Sequence, residues 1–137
     1  REISFYGGLV KRMPLYATVF MIFMLGSVGL PGTSGFVGEF LVIIGAFKFS
    51  SYVVIGAAFG IILSAVYMLY LYKRIIFGEI TNVKLSEIID INTREKLILI
   101  PLAISVIIMG VFPNIFLDPM RLSLELIITN YELANAR

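Results

Sequence analysis

Apolar residues along the chain form three long blocks, separated by short segments that carry most of the charges. The first block, residues 14–47, contains one charged residue, Glu39. The blocks over residues 49–72 and 97–117 contain none. A helix needs about 20 apolar residues to cross the roughly 30 Å hydrocarbon layer of a membrane. The second and third blocks therefore each predict one membrane-spanning helix.

The first block is too long for one ordinary span, and its centre indicates how it is divided. A continuous helix of its 34 residues would be about 51 Å long. The centre contains Gly29, Leu30, Pro31 and Gly32, and a proline with two glycines strongly disfavours helical backbone. Each flanking half is about 21 Å long, too short to span alone. The block is either one interrupted helix or two short spans.

The distribution of basic residues favours one of these alternatives. With a single crossing, eight of the 11 Lys and Arg residues lie on one side of the membrane and three on the other. With two crossings, the division becomes six against five. Because basic residues are enriched on the cytoplasmic side, the single interrupted crossing is favoured. The predicted fold class is an all-α integral membrane protein with three transmembrane helices, the first discontinuous, and short interfacial helices.

These crossings predict the organisation of the chain. In order, the segments are a connector (1–14), a broken transmembrane helix (15–47), a second transmembrane helix (49–74), a connector (75–96), a third transmembrane helix (97–117) and a tail (118–137). We expect both connectors on the cytoplasmic or matrix side and the tail on the opposite side. The tail is expected to include an interfacial helix.

The second connector carries two further predictions. Its apolar positions indicate a short helix lying on the membrane surface within residues 81–96. Asn92 or Thr93 is expected to cap the third transmembrane helix, because such side chains accept hydrogen bonds from the first backbone N–H groups. Glu95 would lie in the first turn, where an acid complements the helix dipole.

Composition limits the chemistry that the chain can perform. Hydrophobic residues make up 59% and charged residues 15%, with a mean hydropathy of +0.98, so a soluble globular domain is excluded. A net charge of +2 is too small to indicate nucleic-acid binding. Without Cys or His, the chain has no disulfide framework and lacks the usual ligands of iron–sulfur clusters, haem and zinc. Because it begins at Arg1, we expect the C-terminal part of a longer protein.

Glu39 is the candidate functional residue. A carboxylate at membrane depth costs at least about 2.5–3.5 kcal/mol, so we expect it to face protein or a water-filled cavity. Lys48 cannot pair with it, since nine residues along a helix place the two on opposite faces. Burial disfavours the charged carboxylate, whereas the positive end of a half-helix beginning near Ser34 favours it. Such a group can carry a proton; the alternative is a structural acid bonded to a neighbouring helix.

Several stretches of the chain together form a recognisable pattern: residues 6–14, 29–40, 74–78, 90–95, 110–113 and 117–118. The most specific stretch is GLPGTSGFVGEF, residues 29–40. In these stretches the chain resembles the subunit M family of bacterial respiratory complex I, called subunit 4 in mitochondria. The resemblance implies an antiporter-like subunit whose last three helices are present here, the first of them discontinuous. It also implies that Glu39 is the ionisable group nearest the periplasmic or intermembrane exit of a proton pathway, where sister subunits L and N usually have a lysine.

The resemblance implies a function for the whole protein. This is a proton-translocating membrane-arm subunit of NADH:quinone oxidoreductase, which couples electron transfer elsewhere in the complex to proton pumping. NAD, FMN, iron–sulfur clusters and quinone are expected on other subunits, with none on this chain. The expected partners are subunits L and N and the lipid bilayer, in a bacterial inner (plasma) membrane or a mitochondrial inner membrane. The alternatives are a subunit of a multisubunit Na+/H+ antiporter and a purely structural membrane-arm element.

Overall fold

The computed structural model describes residues 3–80, 85 and 87–135, and every regular element among these residues is helical. Two short 3-10 helices, Ile3–Phe5 and Leu9–Lys11, precede five α-helices. These are α1 (Pro14–Val28), α2 (Ser34–Phe49), α3 (Ser51–Ile76), α4 (Thr93–Val111) and α5 (Asn114–Asn135). The predicted all-α class is confirmed.

The two halves of the interrupted block, α1 and α2, form the centre of the fold and both pack against α3 and α4. The buried core lies where α1 meets the end of α3. Ala17 and Met24 of α1 are buried there together with Tyr72 and Ile76 of α3. The Tyr72 hydroxyl donates a hydrogen bond to the Ala17 carbonyl oxygen at 3.0 Å. The start of α1 and the end of α3 therefore lie at the same end of the bundle.

Asn92 caps α4, as predicted. Its Oδ1 accepts a hydrogen bond from the Glu95 N–H at 2.9 Å, and Glu95 Oε2 accepts one from the Asn92 N–H at 2.8 Å. This reciprocal pair is a capping box. The predicted surface helix is wrong over residues 88–92, which are not helical. The side chains of Asp90 and Asn92 bind nearby backbone N–H groups and so stabilise a non-helical backbone. Residues 81–84 and 86 of that prediction lie outside the described residues.

The predicted third helix over residues 97–117 is wrong as a single element. Instead α4 runs from Thr93 to Val111, and α5 begins at Asn114 and leaves α4 at an angle of 64°. The cause is Pro113, which lacks an N–H and disfavours helical backbone at the residue before it. Phe112 accordingly has φ −122° and ψ 60°. The second helix differs less, beginning and ending two residues later than the predicted 49–74.

Among the described helices, α3 is the one that is long and apolar enough to cross a membrane by itself. The pair formed by α4 and the first part of α5 meets the same criteria only as a bent unit, and α1 is a shorter apolar helix. Large apolar side chains on the outside of the bundle are exposed, including Phe49 at 88% and Tyr52 at 87%. The number of crossings therefore stays a prediction.

Candidate functional site

The end of α1 is formed by a glycine in a left-handed conformation. Gly29 follows the last helical residue, Val28, with φ 80° and ψ 39°. The Leu30 N–H donates to the Leu25 carbonyl oxygen at 3.0 Å, and the Gly29 N–H donates to that of Gly26 at 3.4 Å. These two bonds define a Schellman motif, which satisfies the last carbonyl groups of a helix. A glycine is favoured at this position because other residues are strained at this φ.

A tight turn then connects α1 to α2. The Thr33 N–H donates to the Leu30 carbonyl oxygen at 3.0 Å, and the Thr33 hydroxyl donates to the same oxygen at 2.7 Å. Proline at the second position, Pro31, and a positive-φ glycine at the third, Gly32 with φ 92°, are typical of a type II turn. The helix resumes at Ser34. The interruption thus lies at Gly29–Gly32, where the sequence places it.

The structure brings Glu39 and this interruption together. Glu39 is half-buried on the second turn of α2, where side chains tilt back toward the start of the helix. Its carboxyl lies against Gly29: a Cβ atom on Gly29 would collide with Oε2 and would be 2.9 Å from Cδ. On the α4 side, a Cβ atom on Gly110 would collide with the backbone of Gly32 and Thr33. The interruption is therefore enclosed by a carboxyl group on one side and by α4 on the other.

The local electrostatics follow from the ends of the two half-helices. The Thr33 hydroxyl is bonded to the Leu30 carbonyl and does not cap α2, so the positive end of α2 is not neutralised by that side chain. Within residues 3–80, 85 and 87–135, Glu39 forms no ion pair, and the one ion pair joins Asp118 and Arg121.

A cleft of about 450 Å³ opens beside the interruption, between α2 and the junction of α4 with α5. Phe36 and Phe40 line it from α2, and Pro113 and Arg121 line it from the junction. Glu39 does not line this cleft, since its carboxyl contacts Gly29 on another side of α2. In the described residues, Glu39 thus meets protein backbone rather than this cavity.

Asp90 is an organising residue that the sequence analysis did not identify. Its Oδ2 accepts a hydrogen bond from the Leu15 N–H at 2.9 Å, and its Oδ1 accepts from Tyr16 at 3.1 Å and from Ile91 at 2.8 Å. Asp90 therefore caps α1 from the connector between α3 and α4. The sequence gives one indication of such a cap. Met13, at the N-cap position of α1, has a side chain that cannot cap, so the first N–H groups of α1 need an acceptor from another part of the chain.

The surroundings of Asp90 act on its pKa in opposite directions. Burial raises the pKa, whereas the hydrogen bonds from the N–H groups of Leu15, Ile91 and Tyr16 lower it, as does the positive charge of Lys96. Together these hydrogen bonds and Lys96 outweigh burial, and the pKa of Asp90 lies below its ordinary value. Asp90 is thus held as a charged cap at the end of the bundle where α1 begins.

Comparisons with known proteins identify sequences similar to this chain. Residues 1–65, which contain the interruption and Glu39, match the family described as NADH:quinone oxidoreductase/Mrp antiporter, TM. NADH-quinone oxidoreductase subunit M of Rhodobacter capsulatus is 49% identical over 131 residues, 96% of this chain and 26% of that protein. The chain is a homologue of this subunit.

Two further relatives have related names and similar identities. NADH-ubiquinone oxidoreductase chain 4 of Marchantia polymorpha is 46% identical over 91% of this chain and 25% of its own length. NADH-quinone oxidoreductase subunit M of Rickettsia felis is 47% identical over 96% of this chain and 27% of its own length. The chain thus spans about a quarter of the length of the relatives that it matches. The family description and the composition of the chain together place it in a membrane.

Proposed function

We propose that the chain is part of a proton-translocating membrane-arm subunit of NADH:quinone oxidoreductase. The observation that carries this proposal is the carboxyl of Glu39 lying against Gly29 at the interruption between two half-helices. Interrupted helices and acidic side chains at membrane depth are both typical of ion pathways. NADH oxidation and quinone reduction, with NAD, FMN and iron–sulfur clusters, would take place on other subunits.

In this proposal, Glu39 carries one proton at a time. An approaching positive charge in a neighbouring part of the complex would release the proton, and its withdrawal would allow Glu39 to take up another. We propose that this charge comes from a part of the complex beyond the described residues. The proposed partners are neighbouring subunits resembling L and N.

We also propose three membrane crossings: the broken helix α1–α2, then α3, then α4. The start of α1, the end of α3 and the start of α4 lie at one end of the bundle, joined by the hydrogen bonds of Tyr72 and Asp90. Basic residues gather at that end, including Lys73 and Arg74 on α3. This supports a single crossing by the interrupted block, with that end on the cytoplasmic or matrix side. In this topology α5 lies on the opposite side.

A multisubunit Na+/H+ antiporter is the second candidate, because the description of the matching family names both kinds of protein. The two candidates differ in their source of energy. An antiporter exchanges sodium for protons without an electron donor, whereas the proposed subunit moves protons only while NADH is oxidised and quinone is reduced. The names of the relatives favour the oxidoreductase.

The proposal is tested by proton pumping in liposomes containing the complete complex with Glu39→Gln. We expect the complex to assemble and proton pumping driven by NADH to fall, because glutamine cannot release a proton. Glu125→Gln, which neutralises an exposed acid on α5, is the matched control and should pump normally. Normal pumping by assembled Glu39→Gln would refute the role of Glu39. A loss of assembled complex without uncoupling would favour the structural alternative.

A further inference from the structure

A basic pocket lies at the end of α3, apart from the broken helix. Its volume is about 340 Å³, and it is lined by Tyr70, Lys73, Arg74, Phe77 and Gly78. This volume lies at the lower end of the range of about 300–1,000 Å³ that is typical of small-molecule sites. Two cationic and two aromatic side chains thus share one small cavity.

The wall formed by Phe77 and Gly78 is held in place by the N-terminal segment. The Phe77 carbonyl oxygen accepts a hydrogen bond from the Gly8 N–H at 3.2 Å. The Phe77 ring packs edge-on against Tyr72, with ring centroids 5.7 Å apart and an angle of 74° between the planes. Gly78 has φ 103°, which turns the chain away from the helix axis. The pocket is therefore built on fixed backbone and not on mobile side chains alone.

The charges around the pocket favour an anionic ligand. Lys73 and Arg74 are exposed, and neither forms an ion pair within the part of the chain that the structure describes. Lys11 and Arg12 belong to or adjoin the 3-10 helix that packs against α3, so they lie at the same end of the bundle. Glu79, the acid nearest in the sequence, does not line the pocket.

The position of the pocket indicates which anion it meets. It lies at the end of α3, the helix that is apolar and long enough to span a membrane. Tyrosines such as Tyr67 and Tyr70, followed by Lys73 and Arg74, mark the level of the lipid headgroups. Basic pockets at this level bind the headgroups of acidic lipids. We propose that the pocket binds the phosphate of an anionic phospholipid, with Lys73 and Arg74 on the phosphate and the aromatic rings beside its glycerol and upper acyl chains.

The proposal is tested by photolabelling of the complete complex in lipid nanodiscs. One sample contains photoactivatable phosphatidylglycerol and the other photoactivatable phosphatidylcholine, and mass spectrometry locates the adducts. We expect phosphatidylglycerol to label residues 70–78 preferentially. Lys73→Gln or Arg74→Gln should weaken the labelling about fivefold each, and the double variant about 30-fold, as expected for roughly 1 kcal/mol per basic residue. Lys48→Gln, at the end of α2, is the matched control and should label normally.

Two further arms distinguish a bound phospholipid from a site for free phosphate and from a loss of local structure. The exchange Lys73→Arg with Arg74→Lys keeps both charges and should preserve labelling. Inorganic phosphate in excess should leave labelling in place, because the proposed ligand is held by its acyl chains as well as by its phosphate. Equal labelling by the two lipids, unchanged labelling in the double Gln variant, or complete displacement by inorganic phosphate would overturn the proposal. None of these outcomes depends on the role of Glu39.

Discussion

Replacing Gly29 by alanine perturbs both the interruption and the carboxyl of Glu39. Gly29 has φ 80°, and the left-handed conformation costs a residue with a Cβ atom about 1–2 kcal/mol. The new Cβ would also collide with Glu39 Oε2 and lie 2.9 Å from Cδ. Ordinary contacts between carbon atoms are about 3.5–4.0 Å, so the carboxyl must retreat by about 1 Å.

Gly32 provides a matched control for this prediction. It has a similar backbone conformation, φ 92°, but a Cβ atom added there meets nothing within 4 Å. Gly32→Ala therefore carries the same backbone strain of about 1–2 kcal/mol without moving Glu39. The difference between the two variants isolates the contact of the carboxyl with the end of α1.

Proton pumping and thermal stability of the reconstituted complex should separate the two effects. We expect both variants to lower the unfolding temperature to a similar extent. Pumping per NADH oxidised should fall only in Gly29→Ala, because displacement of a reacting group by 1 Å can slow a reaction by about 100-fold. If Gly29→Ala pumps as well as Gly32→Ala at equal assembly, the contact between Gly29 and Glu39 has no part in proton transfer.

Three further predictions concern the caps at the other end of the bundle. Asp90→Asn should speed hydrogen exchange of the Leu15 and Tyr16 amides in the intact complex about 10- to 100-fold, because hydrogen bonds to a charged group contribute about 1.5–3 kcal/mol. The control is Asp118→Asn, at an exposed ion pair, which should leave the exchange of these two amides unchanged. The pKa of Asp90 is lower in the folded protein, so its stabilisation is present above the ordinary aspartate pKa of about 3.9 and is lost as pH falls through the folded value. The difference in stability between wild type and Asp90→Asn should therefore disappear at acidic pH. A difference that stays the same would contradict a stabilising role of the ionised Asp90 carboxylate. Asn92→Ala should destabilise the start of α4 by about 1 kcal/mol, which is measured as faster hydrogen exchange of the amides in its first turn. Unchanged hydrogen exchange of these amides would show that the cap contributes little.

The interruption could be predicted from the sequence because its causes are local. A glycine that ends a helix and a Pro-Gly pair in a turn act through their own backbone conformations. The cap at Asn92 could be predicted for the same reason, since its partner Glu95 lies three residues away.

Contacts between distant residues could not be predicted in this way. Asp90 caps a helix that begins about 75 residues earlier, and no spacing rule connects the two. The direction of the Glu39 carboxyl likewise depends on how α1 and α2 cross. The end of α4 was missed for a different reason: the apolar run continues through Leu117, but Pro113 stops the helix regardless of hydrophobicity.

We propose that the carboxyl of Glu39 gains and loses a proton during turnover. Infrared difference spectroscopy of the complete complex, comparing the resting and NADH-driven states, detects the C=O stretch of a protonated carboxyl group directly. We expect a band that changes during turnover, is missing in Glu39→Gln and is retained in Glu125→Gln. The same band, unchanged in a fully assembled Glu39→Gln complex, would mean that another group carries the proton.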